Sequence, residues 1–214
     1  MKLVLFDLDE TLIEGDSVKL WLEFCVREGA LDEGFLKKAE FYQRQYHANS
    51  LDMDEFMSFF LQSVKNSSVE EIKSRADTFV KTQIKPYPKA LSLLSSLQNH
   101  RRIIVSATAD FLVERIAKMF GIEESIAIQT ERIDGKFSGR SLGIHSFREG
   151  KVRRLRQYLG EEYEKWMENS TFYSDSINDL ALLCEVKEPI VCNGDAQLLG
   201  IAKERGWRCV DFRD

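Results

Sequence analysis

From residue 89 onward the chain alternates between short apolar runs and amphipathic stretches, and this alternation narrows its possible folds more than any other feature. The pattern predicts strands over 102–105, 125–129, 171–173, 189–192 and 208–211. Between them it predicts helices over 110–120, 146–159, 178–184 and 195–205. Gly121 stops the first of these helices, and Asp134-Gly135 marks a tight hairpin. Strand–helix units in series make neighbouring strands parallel and cover both faces of the sheet with helices. A further apolar run, Leu3-Val4-Leu5-Phe6, reads as another strand of such a sheet, buried on both sides.

Residues 14–85 break the pattern, because they contain no convincing strand. Asp16-Ser17 is a good capping pair for a helix that puts Val18, Trp21, Leu22 and Cys25 on one face. Met53, Phe56, Met57, Phe60, Leu61 and Val64 follow helical spacing, and Ser68 with Glu71 forms a capping box. Lys85-Pro86-Tyr87-Pro88 then closes the helical region. The expected fold is therefore α/β: a Rossmann-like parallel sheet core flanked by helices, built from residues 1–13 and 86–214. An all-helical cap domain, residues 14–85, is inserted after the first strand. The aromatic richness of the insertion (Phe35, Phe41, Tyr42, Tyr46, Phe59) is that of a core rather than of a ligand box. Among its polar residues Tyr42, Arg44, Tyr46 and His47 are expected at the surface, with the alternative that they face a ligand.

The 214 residues are 43% hydrophobic and 30% charged, which is the composition of an ordinary globular protein. A net charge of −5 argues against a nucleic-acid partner, which would need a basic field. No apolar run approaches the ~18 residues of a membrane span, and the few residues before Asp7 are too short for a signal peptide. The expectation is a cytoplasmic protein without a membrane partner. Cys25, Cys184, Cys192 and Cys209 lack metal-type spacing and sit among apolar neighbours, so all four are expected as buried free thiols.

Chemistry is concentrated at the predicted strand ends, where ligands bind in open α/β sheets. Asp7 and Asp9 follow the first strand, and in extended chain residues i and i+2 present their carboxylates to the same side. Two such anions favour a divalent cation or a shared proton, and phosphoryl-transfer sites use both. Ser106-Ala107-Thr108 ends the next strand beside a helix N-terminus, a ready phosphate cradle. Lys151 opens a later helix, where its ammonium can neutralise charge in a transition state. Its neighbours Arg148, Arg153, Arg154 and Arg156 read as a solvated helix face. Asp175, Asn178 and Asp179 cluster after the strand 171–173.

Asp7-x-Asp9-x-Thr11, Ser106, Lys151 and Asp175-x-x-Asn178-Asp179 resemble, in order and in strand placement, the four motifs of the haloacid dehalogenase superfamily of phosphohydrolases. The place of the insertion is similar to that of the helical-cap branch, which contains the phosphoserine phosphatases. The resemblance implies that Asp7 is a nucleophile forming an aspartyl-phosphate, and that Asp9 protonates the leaving alcohol and then activates water. It also implies Mg²⁺ held by Asp7, Asp9 (through its backbone carbonyl) and Asp175, with Asp179 orienting Lys151 or a metal-bound water. Ser106, Ala107, Lys151 and Asn178 would hold the phosphoryl group. Asp16 is placed where an acid can meet a substrate ammonium, although a helix cap also explains it. Dehalogenases lack the second aspartate, so Asp9 favours a small phosphate ester as substrate.

Phosphoserine phosphatases typically carry Ser-Gly-Gly and Asp-Gly-x-Asn-Asp where this chain has Ser106-Ala107-Thr108 and Asp175-Ser176-Ile177-Asn178-Asp179. The segments 146–151 and Asn193-Gly194-Asp195 look more like a bacterial subgroup often labelled phosphoserine- or histidinol-phosphatase-like. The expected activity is a Mg²⁺-dependent phosphomonoesterase. The alternatives are a phosphotransferase with the same intermediate and, with Asp9 and the insertion counting against it, a phospho-acceptor signalling module.

Overall fold

The computed structural model of the chain describes residues 1–213, apart from the side chain of His47, so the expected surface placement of that side chain lies outside the described residues. In order the elements are β1 (Leu3–Phe6), α1 (Ser17–Arg27), α2 (Gly34–His47), α3 (Met53–Phe60), α4 (Val69–Gln83) and α5 (Pro88–Ser96). Then come β2 (Arg101–Ala109), α6 (Asp110–Met119), β3 (Glu124–Ile133), β4 (Lys136–Leu142), α7 (Glu149–Leu159) and α8 (Tyr163–Met167). The chain ends with β5 (Ser170–Ser174), α9 (Leu180–Glu185), β6 (Glu188–Cys192), α10 (Ala196–Arg205) and β7 (Arg208–Val210). Among the described residues no helix is long and apolar enough to cross a membrane.

The seven strands form one sheet in the order β4-β3-β2-β1-β5-β6-β7. Every pairing is parallel except the hairpin of β3 with β4. Asp134 and Gly135 turn that hairpin with φ of 50° and 75°, the left-handed pair that a two-residue turn requires. β1 lies in the middle of the sheet, where Phe6 is in register with Ile104 of β2 and Tyr173 of β5. The chain leaves β1 for β2 on one side and reaches β5 on the other, so a crevice opens at the carboxyl ends of these strands. The residues after Phe6, Val105 and Tyr173 are thereby brought together.

Side chains of β1 alternate between two cores. Leu3 and Leu5 pack with Ile103, Val105, Phe172, Leu155 and Leu198 on one face. Val4 and Phe6 face the other way, into a core that also contains Trp21, Phe60, Phe79, Phe111 and Phe137. Trp21 of α1 is fully buried and meets Phe79 of α4 at 5.4 Å and Phe111 of α6 at 5.5 Å between ring centroids. Its indole N–H donates to Ser63 Oγ at 3.3 Å. The helices over 17–83 therefore share a core with one face of the sheet.

Several boundaries differ from the sequence reading. β2 continues through Ser106 to Ala109, because Ala109 still pairs with Ile128 of β3 after a register shift that follows Val105. α7 starts at Glu149 rather than near residue 146, after a turn in which Arg148 takes a positive φ. A 3-10 turn, Ile177–Asp179, precedes α9. The capping reading holds: Asp16 accepts from the Val18 and Lys19 amides, and Ser68 from the Glu71 amide. The cysteine expectation fails in half: Cys25 and Cys192 are buried, but Cys184 and Cys209 are exposed, on the outer faces of a short helix and an edge strand. Phe41, read as core, is also exposed.

Candidate active site

The ends of β1, β2 and β5, together with the first turn of α7, enclose a cavity of about 230 Å³. Asp7, Asp9, Asp16, Ser106, Ala107, Lys151, Asp175 and Asp179 all line it. Asn178 does not. It is buried behind the wall, its amide N–H₂ donating to Ser176 Oγ at 3.3 Å and its oxygen accepting from Arg148.

Lys151 is the hub. Its ammonium donates to Asp7 Oδ1 at 2.6 Å and to Asp179 Oδ2 at 2.7 Å, and only 2% of the residue is exposed. Burial alone would lower the Lys151 pKa, but the two carboxylates outweigh it and raise the value, so the side chain stays charged. α7 can deliver Lys151 there because Gly150 lets the preceding turn close: a Cβ at that position would lie 1.9 Å from the His145 carbonyl oxygen. Ser174 Oγ adds a 2.7 Å bond to Asp179, whose pKa burial nevertheless lifts to about 6 against the pull of Lys151.

Asp9 faces the insertion. Its carboxylate accepts from the Ser17 amide at 2.8 Å and from Thr108 Oγ1 at 3.1 Å. Burial, followed by the charges of Asp16 and Asp7, pushes its pKa up to about 8. Ser106 Oγ accepts from the Thr108 amide at 3.2 Å, and the Ser106 carbonyl is held by Ser146 Oγ at 2.6 Å. Asp16 lines the cavity while its Oδ1 caps α1, as the capping reading expects.

Asp175 is the least compensated acid. It accepts from Thr11 Oγ1 at 3.2 Å, and burial, with Asp7 and Asp179 nearby, raises its pKa well above the carboxylate range. Among the described residues no three His, Cys, Asp or Glu side chains converge as a cage for a metal ion. The carboxylates of Asp9 and Asp179 are engaged by Ser17, Thr108, Lys151 and Ser174. Asp7 and Asp175 fit a hard cation that keeps several waters and takes one or two carboxylates.

The model of the haloacid dehalogenase-like hydrolase family matches residues 4–183 of the chain. The chain belongs to this family. As a haloacid dehalogenase-like hydrolase it is an enzyme of the phosphatase kind. It is 36% identical to the histidinol-phosphatase of Neisseria meningitidis serogroup C (strain 8013) over 99% of both chains. A protein of unknown function from Bordetella pertussis Tohama I has the same fold with a TM-score of 0.89 and 32% identity, covering 99% of this chain and 98% of that one. The fold is also that of a phosphoserine phosphatase solved as an analogue of its phospho-aspartyl intermediate, with a TM-score of 0.71 and 20% identity over 98% and 92% of the two chains.

The insertion of this hydrolase supplies the outer wall of the cavity. Leu36, Ala39, Glu40, Gln43 and Tyr46 recur along one face of α2, joined by Tyr42, Glu23 of α1, Phe56 of α3 and Phe147. Tyr42 is buried and Tyr46 half-buried, so the expected surface placement of both is wrong; Arg44 is exposed as expected. The helical spacing of these residues was a readable signal, but it could not say which face of α2 turns inward. Ser174 and Arg148 were also missed as parts of the site. Arg148 is not on a solvated face: it bridges Asn178 and Asn49.

Proposed function

We propose that this haloacid dehalogenase-like hydrolase is a Mg²⁺-dependent phosphomonoesterase, acting in the cytoplasm on a small phosphate ester with a cationic leaving group. Residues 14–85 serve as its cap, and residues 1–13 and 86–214 as its core. The observation that carries the reading is the placement of Lys151 between Asp7 and Asp179 on one side of the cavity, with Asp9 held by Ser17 and Thr108 on the other.

Asp7 attacks phosphorus through the carboxylate oxygen that Lys151 does not hold. The bond from phosphorus to the ester oxygen breaks, and Asp9, which burial favours in its protonated form, gives its proton to the departing alcohol. The product is an aspartyl-phosphate on Asp7 and an ionised Asp9. A water then attacks phosphorus, Asp9 takes a proton from it, and Asp7 is released with inorganic phosphate. Ser106 and Lys151 hold phosphoryl oxygens through both steps. Asp7 and Asp175 would hold Mg²⁺, which would supply neutralisation of charge on the transferring phosphoryl group.

Charge in the cavity argues for the leaving group. Glu23 and Glu40 face it from the insertion beside Tyr42, Tyr46 and Phe56, and no arginine lines it among the described residues. Of its two lysines, Lys151 is engaged by Asp7 and Asp179, and Lys19 is exposed. A substrate carboxylate, as in phosphoserine, meets acids here, whereas an amine or a protonated imidazole meets partners. The Neisseria meningitidis relative, named a histidinol-phosphatase, points the same way. With MgCl₂ present, kcat/KM for histidinol phosphate is expected to exceed that for phosphoserine about a hundredfold, or ~2.7 kcal/mol. Equal rates, or a preference for phosphoserine, would reject the assignment of the leaving group.

A further inference from the structure

Arg148 adopts a backbone conformation, φ 51° and ψ −126°, in which glycine is the usual residue and any other side chain is strained. The same turn does use glycine two residues later, at Gly150. An arginine kept at the strained position is explained if its side chain is needed there, and its contacts show for what.

The guanidinium joins three segments. Nε donates to Asn178 Oδ1 at 3.1 Å, in the turn that carries Asp179. Nη2 donates to the Asn49 carbonyl at 2.8 Å and also to Asn49 Oδ1, in the loop that follows α2 in the insertion. The Arg148 carbonyl accepts from the Lys151 amide at 3.0 Å, so its own turn carries the hub lysine. The planar cation also lies over the Phe147 ring, 4.7 Å from its centroid. A guanidinium only donates, so Asn178 must present its oxygen to Arg148, which fixes the amide. Nearby, Tyr46 and Ser176 share a 3.2 Å hydroxyl bond that links the insertion to the same loop.

We propose that Arg148 is a positioning residue, clasping the insertion to the β5 loop so that Asp179 and Lys151 stay in register with Asp7. The proposal rests on the phosphatase reading of the site. Arg148 reaches no reacting atom itself; it acts through the two turns it joins. A lysine cannot replace it, because a single ammonium on a flexible stem does not span Asn178 and Asn49 as a fork does.

The test compares Arg148→Gly, Arg148→Lys, Asn49→Gly and the double variant Arg148→Gly/Asn49→Gly, each assayed for kcat, KM and melting temperature with MgCl₂. Glycine relieves the backbone strain, so Arg148→Gly is expected to melt no lower than wild type. Its kcat is expected to fall about tenfold or more, with KM changed much less, and added methylguanidine is expected to recover part of the rate. Arg148→Lys is expected to behave like Arg148→Gly in kcat. Asn49→Gly is expected to lower kcat alone and to add almost nothing in the Arg148→Gly background, since both sever one clasp. Wild-type kcat in Arg148→Gly, a loss that merely follows a lower melting temperature, or full additivity with Asn49→Gly would each overturn the proposal. A wild-type protein that cleaves no ester would instead refute the phosphatase reading, and melting temperatures of the same cycle would then decide whether Arg148 and Asn49 are coupled.

Discussion

Replacing Lys151 with methionine keeps the volume of the side chain and removes its charge. Asp7 and Asp179 then face each other across the space the ammonium filled at 2.6 and 2.7 Å, with side-chain exposures of 11% and 3%. Deleting one partner of a buried ion pair costs about 3–5 kcal/mol. In a chain of this length each kcal/mol moves the melting temperature by ~2–4 °C, so a drop of about 10 °C is expected in metal-free buffer near neutral pH. The pH dependence gives the cause. Without Lys151, burial and the charge of Asp7 raise the Asp179 carboxyl further above its unfolded value of ~3.9, so its protonated form stabilises the fold at low pH. That contribution is lost as pH rises through the raised folded value. Asp179 titrates at about 6 even with the lysine present, and higher without it. The deficit against wild type should therefore be largest above about pH 7 and shrink as the pH falls towards ~4.5. Thermal melts followed by circular dichroism in EDTA, over that pH range, measure it. A deficit under ~1 kcal/mol, or one that does not change with pH, would refute the idea that Lys151 is the charge holding these acids in place.

Two further predictions concern other parts of the molecule. Native protein should react with a thiol reagent at Cys184 and Cys209 only, because Cys25 and Cys192 are buried and burial pushes the Cys25 thiol up to about 12. Peptide mapping after labelling would show this, and rapid native labelling of Cys25 would contradict the packing of α1. Changing both Glu23 and Glu40 to glutamine should raise KM for a cationic ester about tenfold while leaving an uncharged aryl phosphate nearly unaffected. Parallel kinetics on the two esters separate the outcomes, and equal effects on both would remove these acids from leaving-group recognition.

Fold and site were legible in the sequence to different depths. β1 could be read because it is buried on both faces and so written as a continuous apolar run, whereas β5, equally buried, showed only as the pair Phe172-Tyr173 after Thr171. The site residues at their tips followed from strand geometry, since Asp7 and Asp175 stand directly beyond the strand ends. The outer wall was not legible. Tyr42 and Tyr46 sit on a helix whose other described residues are half-buried or exposed, and the packing of α2 against its neighbours decides which way they face. Arg148 was read as one more charge in a basic helix, because a positive φ on a non-glycine residue has no sequence signature. Asn178 was placed correctly at its strand tip, but the 3-10 turn over 177–179 rotates it behind the wall. Such side-chain directions depend on turns that local pattern does not encode.

The central claim is that Asp7 carries the phosphoryl group. The most direct test is to mix enzyme with excess ester and MgCl₂, quench in acid during turnover, and reduce with borohydride, which converts an aspartyl-phosphate to homoserine. Mass spectrometry of the peptide containing Asp7 is expected to show homoserine at that position alone, and none without ester. Turnover under the same conditions with Asp7 unmodified would contradict the account.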